Sequence, residues 1–239
     1  MIDVLAQVQI RHRTGKGCVA ENGFCPSWIA DNLHKYWTPL AEHVWLTVIS
    51  CVIGFSIAFV LAVVAHRQRW LTGPIGGVTA ALYTVPSVAA FLLLLPVTGR
   101  GNKTAIIALV AYTLQILFRN MTTGLRNVPS EAVDAARGMG MTDNQILRRV
   151  ELPLAMPEIL AGLRMAFTTT VGLATLAFFA GGGGLGENIY SASAGTGGRF
   201  FKSNVVVAGG LAVLLAAAFD LLILTIQRFA LPWRRAVAR

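Results

Sequence analysis

Charge is scarce in this chain: Asp, Glu, Lys and Arg make up 13% of its 239 residues, while hydrophobic residues make up 55%. Soluble domains carry about 25% charged residues, so too few polar side chains are present to clothe a soluble surface, and composition alone points to a membrane protein. Acid is scarcer still, with 11 Asp and Glu against 20 Lys and Arg, giving a net charge of +9. The basic residues sit at the ends of apolar runs and not on one compact face. That pattern fits topology signals and anionic lipid contacts and excludes a nucleic-acid surface. Cysteine is limited to three positions. Cys18 and Cys25 are separated by six residues and Cys51 lies in an apolar run, which matches no zinc spacing. In an oxidising compartment Cys18 and Cys25 either bridge, closing a small loop around Gly23 and Phe24, or stay free thiols. His12, His34, His43 and His66 form no ligand or catalytic set, and no nucleophile–base set argues for a membrane enzyme. A phosphate-binding Gly-x-x-x-x-Gly-Lys-Ser/Thr loop is missing too. The run 181–184 is followed by Leu185-Gly186-Glu187 without a lysine, and Lys202-Ser203 follows Phe201 where the motif needs glycine. Residues 1–20 carry Arg11, Arg13 and Lys16 and lack an apolar core, so no cleavable signal peptide is expected and the first span serves as the insertion signal.

What is present is a series of long apolar runs, and the expected fold class is an all-α, multi-pass membrane protein with five transmembrane helices. Residues 44–65 form 22 uncharged positions, about 33 Å as helix and enough for the roughly 30 Å hydrocarbon core. Residues 71–99 are uncharged and too long for one straight span, so Pro74, Pro86 and Pro96 mark candidate bends. Residues 104–118, 165–186 and 204–227 complete the set. Lys and Arg favour an N-terminus outside and a C-terminus in the cytoplasm, because that orientation puts twelve of the twenty inside, six of them at Arg119, Arg126, Arg137, Arg148, Arg149 and Arg164. Three regions follow: an extracytoplasmic segment 1–43, a transmembrane domain 44–228 and a basic cytoplasmic tail 229–239. Asp220 is costly in a bilayer, by about 2.5–3.5 kcal/mol at its centre, so it is expected near the cytoplasmic boundary or paired with Arg119 or Arg164. Thr84, Pro86 and Ser87 together form a candidate polar notch on a translocation path, since proline frees a carbonyl beside two hydroxyls.

The polar stretch between the third and fourth runs, about 119–160, reads as two short helices. Ser130 is an expected N-cap with Glu131 and Asp134 in the first turns; Ala132, Ala135 and Ala136 favour helix and keep one face small. Gly138 and Gly140 supply a stop. Thr142 and Gln145 have capping-box spacing, with Met141 and Ile146 as staple, and the second helix is expected to end at Pro153. Met139, Met141, Ile146 and Leu147 offer apolar contacts to a partner.

Asp134, Ala135, Ala136, Gly140, Val150, Leu152 and Pro153 fall, without a gap, on the pattern Glu-Ala-Ala, three residues, Gly, nine residues, Ile, one residue, Leu-Pro. Asp for Glu and Val for Ile are the two departures. This stretch resembles the cytoplasmic EAA loop of the membrane subunits of ATP-binding cassette importers. The resemblance implies that Asp134, Ala135, Ala136, Gly140, Met141, Val150, Leu152 and Pro153 couple to a separate ATPase subunit. Tyr83-Thr84-Val85-Pro86-Ser87-Val88-Ala89, residues 119–125, Gly138-Met139-Gly140-Met141 and Gly182-Gly183-Gly184-Leu185-Gly186 further resemble permeases for osmoprotectants such as glycine betaine, choline and carnitine. Importers for methionine and related amino acids share the loop and overall plan. The resemblance implies two ATPases that bind ATP and magnesium, a second permease subunit, identical or paralogous, and an external solute-binding protein. This chain would then be no enzyme, hold no cofactor or metal, and sit in the cytoplasmic (inner) membrane of a prokaryote. A secondary transporter or channel is the rival, with Asp220 its one candidate relay group. No aromatic cluster has a spacing that marks a cage for an onium ion; Phe178, Phe179 and Tyr190 near the fourth span are candidates to line a passage, but lipid-facing or packing roles suit them better.

Overall fold

The computed structural model describes residues 24–193 and 202–231, and contains no strand among them. The proposed Cys18–Cys25 bridge, most of the N-terminal segment and most of the basic tail lie outside the described residues. Helix α1 (Pro26–Asn32) leads through a 3-10 turn into α2 (Trp37–Arg67), the longest helix among the described residues. A second 3-10 turn, Arg69–Leu71, opens α3 (Thr72–Thr84) and α4 (Ser87–Thr98), which meet at a 98° bend. Of the three prolines in this run, Pro86 makes the break, because it stands at the helix start with extended backbone. Pro74 lies in the first turn of α3, where its missing N–H costs nothing, and Pro96 is accommodated in the last turn of α4.

Helix α5 (Asn102–Arg126) is the centre of the bundle and packs on α2, α3, α4 and α8. Next come α6 (Ser130–Gly138) and α7 (Asp143–Ile146), a π-helical turn at Leu147–Glu151, and α8 (Leu152–Ala174). A 3-10 turn at Ala177–Ala180 and α9 (Leu185–Ser193) precede α10 (Lys202–Ala230), which packs on α8 and α9.

By length and composition three stretches can cross a membrane: Pro26–Arg67, Asn102–Arg126 and Lys202–Ala230; α3 and α4 taken as one bent span make a fourth. Helix α8 has 23 residues, but Glu158, Arg164 and three successive threonines dilute its apolar character. The run expected to span at 165–186 is therefore not one helix. Its first half is the end of α8, and its second half is turn, because Gly181 adopts a left-handed conformation (φ 76°) that stops the 3-10 segment.

Close helix contact rests on absent side chains. A Cβ on Gly162 of α8 would sit 2.5 Å from Asn120 Cβ, and one on Gly54 of α2 would sit 1.9 Å from Thr113 Oγ1. Gly124 meets Ala155 and Glu158 in the same way. These contacts flank a buried cluster of Ala58, Ala62, Leu117, Met121 and Ile159, in which the two alanines, like the glycines, let backbones approach while the larger side chains fill the space between. Gly162→Leu is expected to lower stability by about 1–3 kcal/mol through overpacking. Gly77→Ala, at a site where an added Cβ meets nothing within 4 Å, is expected to do no harm. Melting temperatures of the purified protein in detergent check both; equal values would remove the packing argument.

Candidate functional site

The polar loop is built by local chemistry that the bundle then clamps. Helix α6 starts at Ser130 with Pro129 in the capping position, so Ser130 is the first helical residue and not the cap. Its other end closes as a Schellman motif: Met141 N–H donates to Ala136 O at 3.2 Å and Gly140 N–H to Arg137 O at 3.0 Å. That geometry needs a left-handed residue, and Gly140 has φ 80°. Thr142 and Gln145 form the expected capping box, with Thr142 N–H donating to Gln145 Oε1 at 2.8 Å.

Pro153 does not end the second helix, contrary to the sequence expectation. The wider π-helical turn at Leu147–Glu151 absorbs the proline ring and its missing donor, and the chain passes without a break into α8. A second correction concerns the apolar residues. Ile146 and Leu147 are buried, at 3% and 7% exposure, and fasten the loop to the bundle; Met139, 71% exposed, faces outward. Ala136 is buried while Asp134 and Ala135 are exposed. The outward face thus comprises Asp134, Ala135, Met139 and Gly140, with Met141 and Val150 half-buried and Leu152 and Pro153 at the root of α8. Arg137 reaches Asp134 at 3.7 Å and Asp143 at 3.8 Å. Both pairs are exposed, so they contribute at most about 1 kcal/mol each. Two contacts tie the loop to the end of α2: His66 Nε2 lies 3.0 Å from Glu151 Oε1, and Arg67 donates to Asn144 Oδ1.

At the opposite end of the bundle the glycine run is held, not loose. Gly184 N–H donates to a Glu42 carboxylate oxygen at 3.0 Å, Gly183 N–H to Asn102 Oδ1 at 3.3 Å and Leu185 N–H to His43 Nδ1 at 3.3 Å. His43 is fully buried, and its Nε2 lies 3.0 Å from Val171 O. Because Nδ1 must accept from Leu185, Nε2 carries the proton and donates to Val171. A Cβ at Gly186 would stand 1.8 Å from Thr175 O, so glycine is required there for close approach. Sequence reading missed this clasp, whose partners are 81 residues apart at Asn102 and 142 at Glu42 and His43.

Thr84 and Pro86 are exposed and Ser87 half-buried at the α3–α4 bend. The Thr84 hydroxyl turns back to Ala81 O at 2.8 Å, and the Val85 carbonyl accepts from the Tyr112 hydroxyl. The notch is therefore partly filled by α5. Phe178, Phe179 and Tyr190, by contrast, come together although their spacing gave no sign of it. Phe178 and Tyr190 stack at 4.5 Å between centroids, Phe178 and Phe179 lie at 4.1 Å, and all three line a cavity of about 230 Å³ with Thr175, Leu176 and Ile189. Such ring faces attract cations. Asp220 pairs with Arg164, one of the two arginines expected: Nε to Oδ1 at 2.8 Å and Nη2 to Oδ2 at 3.0 Å. Among the described residues no cluster of His, Cys, Asp and Glu is able to hold a metal ion.

A helical bundle with several helices long and apolar enough to cross a membrane, and a firmly clamped two-helix polar loop at one end, is the arrangement expected of a transporter's membrane subunit. The chain belongs to the family of binding-protein-dependent transport system inner membrane components, which it matches over residues 41–231. It is 35% identical to the choline transport system permease protein OpuBB of Bacillus subtilis (strain 168), across 80% of this chain and 86% of that one. It is 34% identical to the osmoprotectant import permease protein OsmW of Salmonella typhimurium, across 84% and 94% of the two chains. The glycine betaine/carnitine/choline transport system permease protein OpuCB of Bacillus subtilis (strain 168) is 33% identical across 80% and 86%. In fold the chain resembles the solved MetNI methionine ABC transporter in its inward-facing conformation, with a TM-score of 0.68 and 22% identity over 80% of this chain and 95% of that one.

Proposed function

We propose that this chain is the permease subunit of an ATP-binding cassette importer that moves glycine betaine, choline, carnitine or a related quaternary ammonium osmoprotectant across the inner membrane. The observation that carries the solute class is the 33–35% identity to choline, betaine and carnitine permeases along four fifths of the chain. The aromatic cavity at Phe178, Phe179 and Tyr190 supports the same class, since an onium ion fits against ring faces. The likeness to the methionine transporter is one of fold and gives methionine no further weight as a solute.

In this reading the segments crossing the bilayer are α2, the bent α3–α4 pair, α5, α8 and α10, with the N-terminus outside and the 119–160 loop in the cytoplasm. The transmembrane domain then occupies residues 44–228, between an external segment 1–43 and a basic tail 229–239. A separate ATPase, which binds ATP and magnesium, docks on Asp134, Ala135, Met139, Gly140 and Met141. Ala136, Val150, Leu152 and Pro153 position that surface from beneath. A second permease subunit, identical or paralogous, and an external solute-binding protein complete the machine, and Thr84, Pro86 and Ser87 border the path.

The test is uptake of radiolabelled glycine betaine, choline and carnitine by the complete complex in proteoliposomes. ATP-dependent uptake of at least one supports the reading, and uptake of methionine alone overturns the solute class. Topology has its own check. In a background without native cysteines, Lys103→Cys and Asp143→Cys occupy exposed positions at opposite ends of the bundle. They are expected to be labelled from opposite sides by an impermeant thiol reagent; labelling from one side overturns the arrangement.

A further inference from the structure

Helix α8 carries Ala161, Arg164, Met165, Thr168 and Thr169 along one face, spaced three, four, seven and eight residues from the first, and with Asp220 of α10 they line a cavity of about 460 Å³. Each member of the Arg164–Asp220 pair has about one third of its side chain exposed, so the pair borders the cavity and is not sealed in the seam between helices. Arg164 lies twelve residues into α8 and Asp220 ten residues before the end of α10, about 18 and 15 Å of helix from the loop side. With α8 and α10 as spans in the arrangement proposed above, both are at membrane depth, where ionised residues are costly and mark solute pathways.

The seam does not need this pair to hold. One residue from Asp220, Phe219 packs on Phe167 with ring centroids 4.8 Å apart, and Val171, Ala208 and Ala212 bury against one another above it. Apolar side chains serve such a role as well as an ion pair or better. What the pair adds is opposite charge on two walls of one cavity, with threonine hydroxyls alongside.

We propose that the Arg164–Asp220 cavity is a solute subsite that takes zwitterions, the Arg164 guanidinium receiving the solute carboxylate and Asp220 facing its quaternary ammonium. Each charge then exchanges one partner for another of the same sign, and neither is left unpaired. A guanidinium fork suits a carboxylate in two-point contact. Choline, a cation without a carboxylate, engages Asp220 alone and strands Arg164, so the subsite favours glycine betaine and carnitine over choline. This specificity rests on the osmoprotectant reading given above.

The experiment compares uptake of glycine betaine and choline by the complete complex in proteoliposomes, for the wild type and for Arg164→Gln with Asp220→Asn. That double variant keeps a hydrogen-bonding pair and removes both charges. The expected result is that the ratio of betaine to choline uptake falls at least tenfold. Arg164→Lys keeps the charge and loses the fork, and is expected to lower the ratio about threefold; it serves if the double variant fails to assemble. Betaine and choline uptake falling in equal proportion, or not at all, overturns the subsite and leaves a structural tie. A wild-type complex that carries choline but no zwitterion overturns it as well. Failure of the wild type to carry any quaternary ammonium solute removes the osmoprotectant reading itself, and the subsite with it.

Discussion

Gly140→Leu is expected to reduce ATP-driven uptake at least tenfold, while Gly138→Ala, two residues away, leaves it intact. Neither glycine is crowded, because a Cβ at either position would meet nothing within 4 Å. They differ in backbone. Gly138 ends α6 in helical conformation, where alanine is the better residue by about 0.8–1 kcal/mol. Gly140 has φ 80° and supplies the Schellman bond to Arg137 O. An L-residue in that conformation costs about 1–2 kcal/mol, a factor of roughly 5–30 in the population of the native turn. The turn sets the angle between α6 and the α7–α8 segment, and so the position of Asp134 and Ala135 relative to the bundle. Uptake and the amount of ATPase recovered with the permease are the two measurements. Gly140→Ala separates backbone strain from bulk and is expected to fall between the other two. Normal uptake and normal ATPase recovery in Gly140→Leu would remove the basis for assigning this residue to coupling.

Local signals were legible in the sequence where the chemistry is local. The capping box at Thr142 and Gln145 and the helix stop at Gly140 depend on residues within one turn, and both appear as expected, the stop through a positive φ at Gly140. Pro153 misled because a proline ends an α-helix only when the α pattern of hydrogen bonds is kept, and here five residues of π-helix come first. No residue in that stretch announces the change. The alternation of buried and exposed positions was hidden for a related reason. Ala135 and Ala136 are identical in sequence and opposite in role, because α6 turns one toward the bundle and the other outward. Pro86 differs from Pro74 and Pro96 by its place at the junction of two helices, which is known only once the helix ends are known.

Long-range features were the least legible. A glycine run that in sequence shows only that it lacks the lysine of a phosphate-binding loop becomes a clasp when Glu42 and His43 arrive from α2, and nothing near residue 183 predicts them. The pairing of Asp220 was half legible. Its cost in a membrane demands a partner, and Arg164 and Arg119 were both candidates, but the choice between them needs the α8–α10 contact. Phe178, Phe179 and Tyr190 likewise converge only through the turn that separates α8 from α9.

The contrast between Ala135 and Ala136 yields a test of docking. Ala135→Phe, alone or with Asp134→Phe, adds bulk to the outward face of α6 and touches nothing in the bundle, so stability is expected to change by no more than about 0.5 kcal/mol. On the docking proposed for this face, the ATPase no longer co-purifies and ATP-driven uptake is abolished. Affinity of the isolated solute-binding protein for its ligand stays as it was, since that protein is a different chain. Ala136→Phe works by another route. Ala136 is 1% exposed, so the larger ring displaces α6 at a cost of about 1–3 kcal/mol, and melting temperature falls together with uptake. Loss of uptake at constant stability in the first variant, and with reduced stability in the second, is the signature of an outward face used by a partner. Undiminished uptake and ATPase recovery in Ala135→Phe would move the docking surface elsewhere. Uptake that persists without the ATPase, or that collapses when the ion gradient is dissipated at constant ATP, would point to a secondary transporter, because such a protein draws on the gradient and an ATP-driven importer does not.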